Sequence, residues 1–351
     1  MFIKNSPVVS VVLPVFNAEL YVVDAVQSIL SQTWSDFELI LINDGSTDGT
    51  LQLLRGFEER DQRVVLISRE NQGLVATLNE GIALARGQWV ARMDADDIAL
   101  NDRFARQLLW LERTGADICG SWVEFFGTSD KRVLKHPVSD SAIKTALFFG
   151  SVFAHPSVMM RATLAKQLRY SQEWEKCEDY DLWQRAAYAN WKMTNLPEVL
   201  LRYRQHKNQI STASLCVQQE LTQKIRLRHW EMMRSKLGVD EAWITELLKL
   251  RQPIPPDVDL HTVNLALIAL GKSSDSHESL AVLLDHAGRL YARAAGRSHS
   301  LMKHWMRLNT RLGVKTSART FLQLLFLQLF RLGPENLFFT RLKAISLGHW
   351  K

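Results

Sequence analysis

The chain has 351 residues, 46% hydrophobic and 23% charged, a balance that suits a globular protein and excludes disordered, collagen-like and coiled-coil classes. Its net charge of +6 is unevenly spread: residues 215–351 hold 20 Lys and Arg against 11 Asp and Glu, and residues 1–214 hold 23 against 26. Cys119, Cys177 and Cys216 are too few and too scattered for a disulfide framework or a zinc site, so a reducing compartment is expected.

The N-terminal stretch MFIKNSPVVSVVLPVF has no long apolar core ending in a small-residue cleavage site, so no secretory signal is expected. Val8 to Leu13 is a β-branched run suited to a strand buried on both faces. Residues 18–31 follow as a helix with Val22, Val23, Val26, Ile29 and Leu30 on one side. Phe37 to Ile42 is a second buried strand, ending in the turn signature Asn43-Asp44-Gly45-Ser46. A helix from about Gly49 and a strand from Val64 to Ser68 come next. Asn71-Gln72-Gly73 opens a third helix through Arg86, which Gly87 is expected to close. Gln88 to Met93 is a fourth strand, ending in Asp94-Ala95-Asp96-Asp97. Strands separated by helices of this length predict parallel β-α-β units, whose ligands bind outside the C-terminal strand ends. That topology gathers Pro14-Val15-Phe16-Asn17, Asn43-Asp44-Gly45-Ser46 and Met93-Asp94-Ala95-Asp96-Asp97 at one sheet edge.

Further on, a helix over residues 102–113 and a strand near Ala116 to Phe126 precede a polar loop at 127–142. His155-Pro156-Ser157 and an acidic, aromatic stretch from Trp174 to Trp183 follow. From about Ser214 the pattern is helical, broken by a linker near 252–257. The expected division is a catalytic α/β domain over 1–214 and a helical, basic region over 215–351. The longest apolar stretch, Phe321 to Leu332, is interrupted by Gln323, Gln328 and Arg331 and falls short of the about 20 residues a spanning helix needs.

Three carboxylates as close as Asp94, Asp96 and Asp97 repel one another and are most stable ionised beside a cation. Oxygen ligands suit Mg²⁺ or Mn²⁺, which commonly share their shell with substrate phosphates. The plain alternative is a solvated acidic turn. Asp44 at a second strand end can accept the N3 hydrogen of a uracil ring. Glu178, Asp179 and Asp181 form another acidic cluster, read either as the capped start of a helix or as a general base in an aromatic surround of Trp174, Tyr180 and Trp183. Taken alone, His155 and His206 read as structural. No Gly-x-Gly-x-x-Gly, phosphate-loop lysine or Gly-x-Ser-x-Gly elbow is present.

From Val9 to about Ser211 the chain resembles the inverting, family 2 glycosyltransferases of GT-A fold. The resemblance lies in VSVVLPVFNAELYVVDAVQSILSQTWSDFELILINDGSTDGT, NQGLVATLNEGIALARGQWVARMDADD, CEDYDLWQRA and YRQHKNQIS. It implies a Rossmann-like, mostly parallel sheet flanked by helices. Pro14, Phe16 and Asn17 then flank the nucleotide, Asp44 binds uracil, and Asn71 and Gly73 lie near base and ribose. Asp94 lies near the ribose, Ala95 joins it in the nucleotide-sugar site, Asp96 and His206 hold the metal on the diphosphate, and Asp179, paired with Glu178, is the base. Phe16 stands where many relatives have tyrosine, and Asn43 where aspartate is frequent. The resemblance further implies single, inverting transfer from a UDP-sugar to a saccharide, because the Gln-x-x-Arg-Trp motif and membrane helices of processive relatives are missing. AHPSVMMR, EDYDLW and RYRQHKNQIS are similar to lipooligosaccharide enzymes that add β-1,3-N-acetylglucosamine to galactose. Close relatives transfer galactose, glucose or N-acetylgalactosamine.

Residues 301–351 hold nine Lys and Arg and one acid, Glu335, interleaved with aromatics. This pattern fits an amphipathic element on anionic lipid, ahead of nucleic acid, and places the protein peripherally on the inner face of a bacterial cytoplasmic membrane. The plain alternative is that Leu322, Leu325, Leu329 and Leu332 pack on the protein itself.

Overall fold

The computed structural model describes residues 6–129, 131–206, 215–250, 258–296 and 298–331, with the side chains of Leu215 and Cys216 excepted. The expected linker at 252–257, most of the RYRQHKNQIS segment beyond His206, and the tail from 332 onward lie outside the described residues. The chain forms two compact units, the first ending at Ile225 and the second beginning at Arg226.

In the first unit, β1 (Val9–Val15), β2 (Phe37–Asp44), β3 (Val64–Arg69) and β4 (Trp89–Arg92) lie parallel in the order β3-β2-β1-β4. Every residue of β1 and β2 is buried, as expected for strands covered on both faces. The covering helices are α1 (Val22–Leu30), α2 (Thr50–Glu58) and α3 (Leu74–Leu84). The sheet continues through β8 (Met159–Arg161), β6 (Ile118–Phe126), β9 (Met193–Arg204) and β5 (Ile98–Ala99), with β7 (Val133–Leu134) pairing β6. Strand β8 runs antiparallel between β4 and β6, whereas β6 and β9 are parallel, so the sheet is mixed but mostly parallel.

Two expectations are corrected. Gly87 does not close α3, whose last helical residue is Leu84. Instead its N–H donates to Ser10 Oγ at 2.8 Å, and a Cβ there would lie 2.7 Å from the Ser10 nitrogen. Glycine is needed for close approach to β1. The polar loop at 127–142 is also more ordered than its composition suggests: β7 pairs with Val123 and Glu124, and α5 (Asp140–Ala146) starts at Asp140, capped by Ser139 Oγ.

The remaining helices of this unit are α4 (Arg103–Thr114), α6 (Ala162–Leu168) and α7 (Glu178–Tyr188), followed by α8 (Leu215–Leu237), which runs across the boundary between the units. The second unit is all helical: α9 (Glu241–Lys249), α10 (Leu260–Lys272), α11 (His277–Ala294), α12 (Leu301–Arg311) and α13 (Ala318–Leu329). Its core contains Val263, Leu267, Leu283, Tyr291, Trp305, Leu308, Leu324 and Leu327. On α13 the buried positions are thus Leu324 and Leu327, while Leu322 and Leu329 are exposed. No helix among the described residues is long and apolar enough to cross a membrane.

Candidate active site

The parallel strands bring their C-terminal ends together as the sequence predicts. Asn17, just after β1, adopts φ 47°, a left-handed conformation that asparagine tolerates. Its N–H donates to Ser46 Oγ at 2.9 Å and its side-chain oxygen accepts the Thr47 N–H at 2.8 Å, stapling the β1 and β2 loops. Phe16 is exposed beside it, whereas Pro14 is buried within β1. Strand β4 pairs β1 only as far as Val12, so Pro14 costs no hydrogen bond on that side.

Asp44 is almost fully buried and densely bonded. Its carboxylate accepts from Arg69, from Gln72 N–H at 2.8 Å and from Gly73 N–H at 3.0 Å, while Asn71 Nδ2 donates to its carbonyl at 2.8 Å. Gly45 (φ 74°) lets Asn71 approach: a Cβ would lie 2.7 Å from the Asn71 nitrogen. Gly73, at φ 86°, turns the chain into α3. Asp44, Asn71 and Gly73 therefore form one unit. Arg69 was absent from the expected set, although an arginine closing a sheet strand signals a buried partner.

The acidic turn after β4 is held from three sides. Asp94, Asp96 and Asp97 present ligand atoms within 4.8 Å of one another, with Ala95 between the first two. Asp94 is bound through both oxygens by the buried Arg92 guanidinium. The Arg92 carbonyl in turn accepts from Arg103, a fully buried cation whose pKa burial and Arg92 push down to about 9. Asp97 accepts the Arg204 N–H at 2.8 Å, while its second oxygen is buried without a partner among the described residues. Arg204 Nε donates to the Asp96 carbonyl at 2.7 Å, and its guanidinium lies between the Tyr21 and Phe126 rings. Two residues later, His206 Nε2 stands 2.9 Å from Asp96 Oδ2, its ring 5.0 Å from that of Tyr21.

These residues fit a hard divalent cation. Asp96 and His206 converge as an oxygen and a nitrogen donor, and clustered carboxylates with one buried, unpartnered oxygen favour a positive charge. Burial, aided by Asp96 and Asp179, pushes the Asp94 carboxyl up to about 6 despite Arg92, and burial holds Asp97 well above the usual carboxylate range.

Helix α7 supplies the second acidic pair at its first turn. Asp179 accepts the Ser151 hydroxyl at 3.1 Å; burial raises its pKa, with the Tyr180 N–H, Ser151 and Arg92 opposing. Glu178 is buried, one oxygen 4.0 Å from His155 Nδ1 and the other without a partner among the described residues. Burial and then Asp179 push Glu178 up to about 7. His155, held neutral by burial and the nearby Arg92 charge, shares a 2.7 Å hydrogen bond with the Tyr170 hydroxyl and packs edge-on against Trp183. The expected aromatic surround is therefore corrected in part. Tyr180 turns away to donate to the Leu147 carbonyl at 2.6 Å, and Tyr170, which the sequence did not single out, takes its place.

This sheet, with its acidic strand end facing a second carboxylate pair, is the architecture of GT-A glycosyltransferases. The crystal structure of Staphylococcus aureus TarS 1–349 in complex with UDP-GlcNAc superimposes with a TM-score of 0.55 over 88% of this chain and 93% of that one, at 16% identity. The Pyrobaculum calidifontis mannosyltransferase PcManGT, in complex with GDP-Man and Mn²⁺, gives 0.51 over 93% and 88%, also at 16%. At such identity these two establish the fold alone. A family model, Glycosyl transferase family 2, matches residues 10–169. An uncharacterized glycosyltransferase of Haemophilus influenzae is 32% identical over 68% of this chain and 77% of its own length. The O-antigen biosynthesis glycosyltransferase WbnJ of Escherichia coli is 32% identical over 61% of this chain and 86% of its own length. The chain belongs to glycosyl transferase family 2.

Proposed function

We propose that the protein transfers a single sugar from a UDP-sugar to a saccharide hydroxyl with inversion at the anomeric carbon, supported by Mn²⁺ or Mg²⁺. The observation that carries this reading is the pairing of Asp96 with His206 in a site whose Asp94 shares its electrostatic field with Asp179. Asp44 binds uracil in this reading: three of its roughly four lone-pair positions are filled, which leaves one for the N3 hydrogen. Phe16, Asn17, Asn71 and Gly73 border the base and ribose, and Asp94 and Ala95 the ribose and diphosphate. Asp96 and His206 would hold the divalent cation, which would supply Lewis-acid stabilisation of the diphosphate leaving group.

Asp179 accepts the proton of the acceptor hydroxyl at a carboxylate oxygen. The hydroxyl oxygen attacks the anomeric carbon from the face opposite the UDP, the bond to UDP breaks, and an α-linked donor gives a β-glycoside. Ser151 holds the Asp179 carboxylate in place, and the raised proton affinity of the Glu178–Asp179 pair brings its basicity toward neutral pH.

N-acetylglucosamine is the favoured donor sugar and a terminal galactose, β-1,3-linked, the favoured acceptor, in lipooligosaccharide, O-antigen or capsule synthesis. The UDP-GlcNAc in the TarS complex accords with the donor sugar, and the O-antigen name of WbnJ with the class of glycan. Galactosyl, glucosyl or N-acetylgalactosaminyl transfer is the alternative. The basic region over 301–351 is proposed to rest on the anionic inner face of the cytoplasmic membrane.

Incubation with each UDP-sugar and Mn²⁺, following UDP release with and without galactosides, tests the reading. Asp179→Asn should lose transfer by at least about 1,000-fold while keeping UDP affinity, because it removes the base and leaves the nucleotide contacts. Asp96→Ala should weaken metal-dependent nucleotide binding itself. Wild-type turnover by Asp179→Asn overturns the base assignment.

A further inference from the structure

The second unit carries a basic cleft that the transfer reaction does not use. Helices α10 and α12 lie side by side: Asn264 Nδ2 donates to the His304 carbonyl at 2.8 Å, and Gly271, the penultimate residue of α10, faces Leu312 just beyond the end of α12. The two helices thus run in the same direction. Between them lies a cleft of about 210 Å³, lined by His261, Leu265, Ile268 and Lys272 from α10 and by Arg307 and Arg311 from α12. No carboxylate lines it.

The side chains of Lys272, Arg307 and Arg311 make no hydrogen bond or ion pair with any described residue. Arg234 pairs with Glu241, Lys249 with Glu246 and Arg289 with Asp285, whereas the exposed Lys236, Lys303, Lys315 and Arg331 are also unpaired among the described residues but do not line this cleft. The helix dipoles account for part of the arrangement, since Lys272 and Arg311 occupy the last turns of their helices, where a cation is favoured. Arg307 lies a turn earlier and has no such compensation. It repels Arg311 across an i,i+4 spacing that is destabilising for like charges. Three exposed cations without a partner among the described residues line one concave surface, which makes it attractive to an anion. Two of them are guanidinium forks that match phosphate oxygens.

We propose that the α10–α12 cleft binds the phosphate head of an anionic lipid. Leu265 and Ile268 give the cleft an apolar floor between its cations, which a lipid's glycerol and acyl stem can cover and free phosphate cannot. The inference rests on the reading that the basic C-terminal region meets an anionic membrane. It assigns the contact to α10 as well as to the tail, and to a defined cleft rather than diffuse charge.

The test compares binding of the full chain to phosphatidylcholine vesicles with and without phosphatidylglycerol. The variants are the triple substitution K272Q/R307Q/R311Q and a control of equal charge change, R234Q/K249Q/R289Q. The wild type and the control should bind the anionic vesicles alike, and the cleft variant about 100-fold more weakly. Undiminished binding by the cleft variant, or equal loss in the control, overturns the cleft while leaving membrane association intact. No vesicle binding by the wild type overturns both. Calorimetric titration with inorganic phosphate separates the sources: tight phosphate binding that the cleft variant loses, with vesicle binding unchanged, overturns the lipid assignment in favour of a soluble phosphate ligand. Circular dichroism melting of each variant shows that it is folded.

Discussion

Glu178 and Asp179 are adjacent carboxyls, one buried without a hydrogen-bond partner on its second oxygen and the other fixed by Ser151. Groups so close titrate as a pair, in two macroscopic steps, and burial places the upper step near 7. The rate should therefore fall in two stages as pH drops below neutral. In Glu178→Gln the pair becomes a single acid that has lost its adjacent carboxylate but keeps the Arg92 charge, so the upper step should vanish and the acid limb should move to lower pH. A kcat profile from pH 5 to 8 reads this directly, and an unchanged profile would separate Glu178 from the base. The roles of Asp94, Asp96, Asp179 and Asp44 are suggested by the sequence because each sits where a buried strand or a helix start ends in a carboxylate. Their cationic partners were less legible. Arg92 lies in a strand whose neighbours are apolar, which signals a paired charge without naming the pair. Ser151 and Tyr170 arrive from loops whose course no periodicity encodes.

At the scale of elements, the site depends on how closely α3 lies against the sheet. Gly81 faces β1 and β2, and a Cβ on it would fall 2.3 Å from Val12 Cγ1 and 3.3 Å from Ile42 Cδ1. Both neighbours are buried and cannot move aside cheaply. Gly81→Ala should therefore cost about 1–3 kcal/mol, the range for overpacking a filled core, even though alanine is the better helix former. Lifting α3 also displaces Gly73 at its start, and with it the Asp44 contacts, so UDP affinity should fall together with thermal stability. Loss of stability at unchanged UDP affinity would show that the Asp44 loop is independent of the helix. The parallel strands and their helices were legible because buried β-branched runs and 3.6-residue stripes alternate along the first hundred residues. The ordering within 127–142 was not, because β7 is two residues long and its pairing is decided by β6 across a loop.

Across the whole molecule the two units carry opposite proton balances. In the first, burial raises Glu178 to about 7 and Asp94 to about 6, and raises Asp97 and Asp179. Such groups contribute stability that is complete below their unfolded values, near pH 4, and is lost as pH rises through their folded values. His136, lowered by burial to about 4, and His155, lowered well below its usual value, act in the opposite sense within the same unit and offset much of this. In the second unit burial lowers His229 to about 3 and His304 also lies below its ordinary value, while Asp259, bonded to Thr262, is lowered too. Every one of these depressed groups stabilises the unit above its unfolded value and withdraws that contribution as pH falls. His229 alone, neutral in the fold but protonated when unfolded, should remove about 2 kcal/mol between pH 6.5 and 5. Acidification of the metal-free protein should therefore loosen the helical unit first. Hydrogen exchange of the full chain at pH 7 and pH 5, corrected for intrinsic rates, should show protection falling in α10, α11 and α12 while β1 and β2 keep theirs. Loss of protection in β1 and β2 ahead of those helices would mean that the histidines of the first unit outweigh its carboxylates, and that the acidic site does not carry the proton affinity its burial implies.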